Sequence, residues 1–115
     1  MQYEQLEVWK RSFFLSVRVY QLFSESRDYG FKDQICRSGL SVPSNIAEGL
    51  ERESNKEKSR FLSIAKGSVG ELKTQVMIAK EINYLSKEES SYLSSECEQI
   101  SKMLGAFINT LKDRS

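Results

Sequence analysis

The sequence predicts an all-α fold: an antiparallel up-down-up-down four-helix bundle whose second helix is kinked at Pro43. Apolar residues recur in alternating steps of three and four through four long segments, the spacing that places them on one helical face. Short polar turns separate the segments, and two of these turns carry a Ser-x-x-Glu capping box. Composition agrees, with a single proline and six glycines in 115 residues, which suits uninterrupted helices. A chain of this length forms one domain around one core and gains from association.

The first helix is expected from about Leu6 to Ser24. Leu6, Trp9, Phe13, Val17 and Tyr20 make one face, and Val8, Leu15, Val19 and Leu22 make a second stripe beside it. A monomeric bundle needs one apolar stripe of ~100° per helix. Two stripes mean either a partner surface or one wide face covered within the monomer. Ser26-Arg27-Asp28-Tyr29-Gly30 reads as a turn in which Gly30 is free to take positive φ.

The second helix is expected from Phe31 to Arg52, with Phe31, Ile35, Ser38, Val42, Asn45 and Gly49 inward and Ile46 beside them. Pro43 pushes its ring against the carbonyl of Gly39, which has no Cβ to obstruct the adjustment. Ser41, Ser44 and Asn45 are placed to bond the backbone groups this frees, and Asn45 is expected to set the helix register. A loop over Ser41–Ser44 is the alternative, because the residue before proline disfavours the helical region.

Ser54 and Glu57 open a third helix from Asn55 to Tyr84, on which Phe61, Ala65, Ser68, Leu72, Gln75, Ala79 and Ile82 keep the rhythm. Ala65, Gly67, Ser68 and Gly70 are small enough to let another helix approach closely. Folding about Glu53 brings Asn45 level with Leu62–Ala65, Ser38 level with Ser68–Leu72, and Gln34 close to Lys73 and Gln75. Ser86 and Glu89 open the fourth helix, from Lys87 to Lys112, with Leu93, Cys97, Ile100, Leu104, Phe107 and Leu111 inward. Lys112 and Arg114 suit the negative end of its dipole.

Seventeen basic residues oppose sixteen acidic ones, which argues against a strongly polyanion-seeking surface and leaves room for a local basic patch. No apolar run approaches the ~20 residues that span a bilayer, and Met1–Gln5 is unlike a secretory signal. A cytoplasmic protein with no membrane partner is expected. Cys36 and Cys97 stand outside any metal-ligand or CxxC spacing and read as reduced, packed thiols.

The chain has no histidine, which removes the Glu-x-x-His metal sites of bundles and any histidine triad. No glycine loop follows a strand to cradle phosphate. An enzyme, a cofactor and a metal are not expected. Glu48 and Glu71 would be the acid–base candidates, although an i,i+4 ion pair of Glu48 with Arg52 accounts for the first more simply. Lys66, Lys73 and Lys80 recur every seven residues and, with Arg37, Lys10 and Arg11, are the candidate nucleic-acid contacts. Such a line can follow a phosphate backbone. A solvated face interspersed with Glu57, Glu71 and Glu81 has the same pattern.

The stretch from Gln34 to Gly49, containing Ser-Val-Pro-Ser-Asn-Ile-Ala-Glu-Gly, resembles the signature of the 23S rRNA-intervening-sequence, or four helix bundle, proteins. The likeness extends to Leu6–Lys10, Tyr29-Gly30-Phe31, Phe61–Ser68 and Glu71-Leu72. It marks Gly39, Pro43, Ser44, Asn45, Glu48 and Gly49 as a structural motif. The resemblance implies a small bacterial bundle that assembles as a ring-shaped homopentamer, in a family whose molecular function is largely unassigned. A related branch, the accessory variability proteins of diversity-generating retroelements, comprises basic pentamers that bind nucleic acid and a reverse transcriptase. This chain departs from that branch in its near-neutral charge and in Cys36, where a second basic residue often precedes Arg37. The expectation is a non-enzymatic homo-oligomer serving as a nucleic-acid (RNA or DNA) or ribonucleoprotein accessory. The alternative is a protein-binding scaffold without nucleic-acid affinity.

Overall fold

The computed structural model describes residues 6–113, so the readings made of Met1–Gln5 and Arg114 lie outside the described residues. Four helices follow in order, α1 (Glu7–Leu22), α2 (Tyr29–Leu50), α3 (Asn55–Glu81) and α4 (Lys87–Asp113). Each packs on its sequence neighbours and α1 closes against α4, while the backbones of the diagonal pairs stay apart. This is the up-down-up-down bundle. Its long dimension, 45 Å, is close to the ~40 Å of a 27-residue helix rising 1.5 Å per residue.

The core is layered from all four helices. Leu15 and Val19 from α1 and Ile35, Val42 and Ile46 from α2 join one core with Leu62, Leu72, Leu93, Ile100 and Leu104 from α3 and α4, all fully buried. Of the two stripes on α1, the one through Val8, Leu15 and Val19 faces inward. Phe13, Val17 and Tyr20 remain exposed. On α2 the buried side also takes in Cys36, Gly39 and Pro43, whereas Asn45 is half-buried.

α2 runs unbroken through Pro43, so the loop alternative does not form. Its polar residues are partnered locally. Ser38 Oγ donates to the Gln34 carbonyl at 3.0 Å, and Asn45 Nδ2 donates to the Ser41 carbonyl and Ser41 Oγ at 2.8 and 2.9 Å. The link to α3 is Ser41 Oγ to Ser68 Oγ at 2.8 Å. The predicted hairpin register is therefore present, but Asn45 serves it through Ser41 and makes no direct bond to α3. Lys73 turns towards α4 and away from Gln34. Gln75 Oε1 is buried and has no hydrogen-bond partner among the described residues.

The two motif glycines differ. A Cβ on Gly49 would lie 2.9 Å from Phe61 Cβ and 3.2 Å from the Lys58 carbonyl oxygen, so only glycine lets α2 and α3 approach this closely. A Cβ on Gly39 would meet Ser16 Cα and Val19 Cβ at 3.7 Å, ordinary van der Waals contact. Gly39 therefore leaves room for a methyl group towards α1.

Helix ends shift by a few residues where single side chains decide them. Asp28 Oδ1 accepts from the Phe31 amide at 3.1 Å, so α2 starts at Tyr29 rather than Phe31. The Tyr84 hydroxyl donates to the other Asp28 oxygen at 2.7 Å, and this bond, followed by the Phe31 amide, holds the Asp28 carboxyl below its usual range. Asn83 takes φ 65°, a left-handed residue that ends α3 at Glu81, short of the expected Tyr84. The Ser86–Glu89 box is reciprocal, with bonds of 3.0 and 2.8 Å. At the other box Ser54 caps Glu57 at 3.1 Å, while the Glu57 carboxylate pairs with Arg60. Among the described residues no helix is long and apolar enough to cross a membrane.

Both cysteines are free and buried, and burial pushes the Cys97 thiol up to about 12. Two tests follow from this packing. In urea denaturation, Gly49→Ala should cost ~1–3 kcal/mol by overpacking, whereas Gly39→Ala should be neutral or add up to ~1 kcal/mol; equal effects would contradict the assigned contacts. Native Cys97 keeps its proton while the unfolded thiol, from a reference of 9.0, loses its own. The thiol's contribution is thus complete below pH 9.0 and is lost as pH rises towards about 12. The stability difference between wild type and Cys97→Ala should narrow over that window.

Candidate functional site

Lys66, Lys73 and Lys80 sit two helical turns apart on α3, on the flank that meets α4. Lys73 Nζ lies 3.0 Å from Glu98 Oε1 on α4, and Lys66 Cε lies 3.5 Å from where a Gly105 Cβ would stand. Lys102, one turn beyond Glu98, lines the same shallow depression of about 270 Å³ with Gly70 and Ser101. Gly70 leaves open space beside Lys73, whereas the Lys66 stem lies over Gly105. Lys66, Lys80 and Lys102 are exposed and have no ion-pair partner among the described residues. A hydrogen bond from Lys73, reinforced by its charge and by Lys102, holds the Glu98 carboxyl below its ordinary range. The arrangement offers four ammonium groups and one carboxylate along one side of the bundle.

The other nominated cations are placed elsewhere. Arg11 reaches across to α4 and clamps Glu96 with two bonds of 2.6 and 3.2 Å, a bidentate pair that raises the arginine pKa further. Arg37 is paired with Asp33 on its own helix at 2.9 Å. Lys10 is exposed on α1, which does not contact α3. The six candidates therefore do not form one surface. Only the lysine line does, and it gains Lys102, whose place depends on how α4 registers against α3.

The motif residues form no reactive cluster. Pro43 is buried towards α1 and Ser44 is exposed on the outside of α2. Glu48 Oε1 lies 3.3 Å from Arg52 Nη2, the i,i+4 pair. Glu48 lies level with the start of α3, where Gly49 meets Phe61, and Glu71 is further along by ten residues, ~15 Å of helix. The two carboxylates do not face each other.

On the opposite side, α1 and α2 enclose an almost wholly apolar groove of about 320 Å³ with Pro43 and Ser16 at its floor. Phe13, Val17, Tyr20 and Leu40 border it and are 37–49 % exposed. A wider cavity of about 610 Å³ opens at the bundle end between Leu50, Met103, Phe107 and Leu111. Neither cavity holds a carboxylate or a thiol. The described residues include no group of three or more His, Cys, Asp or Glu side chains that could hold a metal ion.

Comparison with known proteins agrees with this architecture. A solved structure from Bacteroides thetaiotaomicron, described as a protein of unknown function from the S23 ribosomal protein family, superposes with a TM-score of 0.83 at 25 % identity. The match covers 88 % of this chain and 97 % of that one. No curated protein matches the chain. The family model for 23S rRNA-intervening sequence proteins matches residues 4–106, and the chain belongs to that family.

Proposed function

We propose that this protein is a non-enzymatic, homo-oligomeric, cytoplasmic bundle that binds nucleic acid through its α3/α4 face as an accessory to RNA or ribonucleoprotein. The lysine groove carries the reading. Lys73 and Lys102 line a shallow depression with Gly70 and Ser101, Lys66 lies over Gly105, and Lys80 continues the line along α3. Among the described residues, Glu98 is the carboxylate that pairs into it, through Lys73. The near-neutral total charge of +1 does not exclude a local basic patch. Self-association is supported by the exposed Phe13, Val17, Tyr20 and Leu40, a contiguous apolar patch of the kind that marks an interaction site. The non-enzymatic reading is supported by the raised Cys97 thiol and by the separation of Glu48 from Glu71.

Titrating a structured RNA and a DNA duplex at ~50 and ~200 mM salt tests the reading, since each phosphate contact contributes ~0.7–0.9 to the salt slope. Replacing Lys66, Lys80 and Lys102 together by alanine should lower the slope by about 2–3 and weaken binding to all sequences alike. Absence of binding at both salt concentrations, or binding unchanged in the triple variant, would overturn it.

A further inference from the structure

We propose that the cavity at the end of the bundle binds a small amphiphilic carboxylate, its apolar chain lying on Leu50, Met103, Phe107 and Leu111 and its charged group on Lys58. The site is separate from the lysine groove and does not rest on the nucleic-acid reading.

The cavity follows from unequal helix lengths. α1 runs antiparallel to α4, and the pair of Arg11 with Glu96 fixes their level, which sets Glu7, the first residue of α1, about level with Ile100. α4 continues to Asp113, ~20 Å further along the bundle. Among the described residues α1 therefore leaves the last turns of α4 uncovered on one side, and Met103 and Phe107 are half-buried there. Leu50 and Leu111 are buried and close the floor. The resulting space of about 610 Å³ falls within the ~300–1,000 Å³ of small-molecule sites.

Polar groups enter the lining from two helices, Asn55 and Lys58 from the first turns of α3 and Thr110 from α4. Lys58 Nζ donates to the Arg52 carbonyl, a bond that uses one of its three hydrogens. It belongs to no ion pair among the described residues. Asn55 Nδ2 makes a long bond of 3.4 Å to the Leu111 carbonyl, and Thr110 is bonded to Ala106 on its own helix. The start of α3 is the positive end of the helix dipole, so the helix and Lys58 act in the same sense. No acidic residue of the described chain lines the cavity. Glu57 is paired with Arg60, and Glu51 and Glu53 are exposed outside the lining.

An apolar floor with an ammonium at its edge selects by two features at once. A hydrocarbon chain leaves water on Leu50, Met103, Phe107 and Leu111, and a carboxylate accepts a charge-assisted bond from Lys58. A neutral ligand of the same length gains the first and not the second. A cationic one meets repulsion.

Decanoate, octanoate, decanol and decylamine are the probes, with binding to the full chain followed by calorimetry and amide chemical shifts. Decanoate should saturate, shift the amides of Asn55, Lys58, Ala106 and Thr110, and bind at least about tenfold more tightly than decylamine. Octanoate, shorter by two methylenes, should bind roughly tenfold more weakly than decanoate. Lys58→Gln should weaken decanoate by about tenfold or more and leave decanol unchanged, and Lys58→Arg should keep the preference for decanoate. Ala106→Phe, at an exposed position of the lining, should fill the cavity and abolish binding of every probe while circular dichroism stays that of wild type. Equal binding of decanoate and decylamine, or loss of decanol together with decanoate in Lys58→Gln, overturns the carboxylate assignment. Absence of saturable binding, as when residues 1–5 or a second copy cover the cavity, overturns the site altogether.

Discussion

At Gly49 the backbone of α2 runs into the first turns of α3, with space for a hydrogen and no more: a Cβ would stand 2.9 Å from Phe61 Cβ. Eight residues earlier, ~12 Å along the helix, Ser41 and Ser68 share a hydrogen bond. Two fixed points on one helix pair set both its separation and its register. Apolar stripes alone do not achieve that, since sliding one helix by a turn exchanges one aliphatic contact for another at small cost. A polar contact on the seam makes the slipped registers lose a partner. α1 then packs on α2, and α4 on α3, against surfaces whose level is already settled.

Much of this was legible because helical periodicity repeats. Each of the four segments presents its core face at least four times, and one ambiguous residue does not blur the pattern. Helix ends are decided once. Asp28 as N-cap and Asn83 in the left-handed region are single residues in polar turns, and reading past them displaced two boundaries. The choice between the two α1 stripes had a different cause. Both are apolar at the same period, and the smaller side chains of Ser12 and Ser16, buried on the inner side, were the available hint to which stripe packs closely. The candidate cations divide on the same logic. The Lys66, Lys73 and Lys80 line follows from spacing within one helix. The pairing of Arg11 with Glu96, and the arrival of Lys102 beside Lys73, depend on an inter-helix register that no local pattern carries.

At Gly39 and Asn45 the local contacts differ from what the sequence alone implies. Gly39 seemed to matter as relief for the ring of Pro43, yet the space around it towards α1 admits a methyl group. Asn45, expected to set the register, orients Ser41, and Ser41 makes the bond to α3. The polar residues of the stretch act in sequence along one seam. Their value is in register, with no sign of shared chemistry.

Net charge conceals how this surface is organised. The chain is almost balanced at +1, but opposite sides of the bundle differ. α1 and α2 show aromatic and aliphatic side chains around Pro43, and α3 and α4 show lysines around glycine and serine. A free lysine can turn to an arriving phosphate at little cost, whereas Lys73 must first leave Glu98. That carboxylate, already held charged by Lys73 and Lys102, opposes a phosphate in the middle of the groove. On the proposed reading, the groove would bind through the charges at its two ends more than through its centre. On the same reading, weak attraction from each copy becomes strong only by multiplicity in an assembly, so self-association and nucleic-acid binding are proposed together.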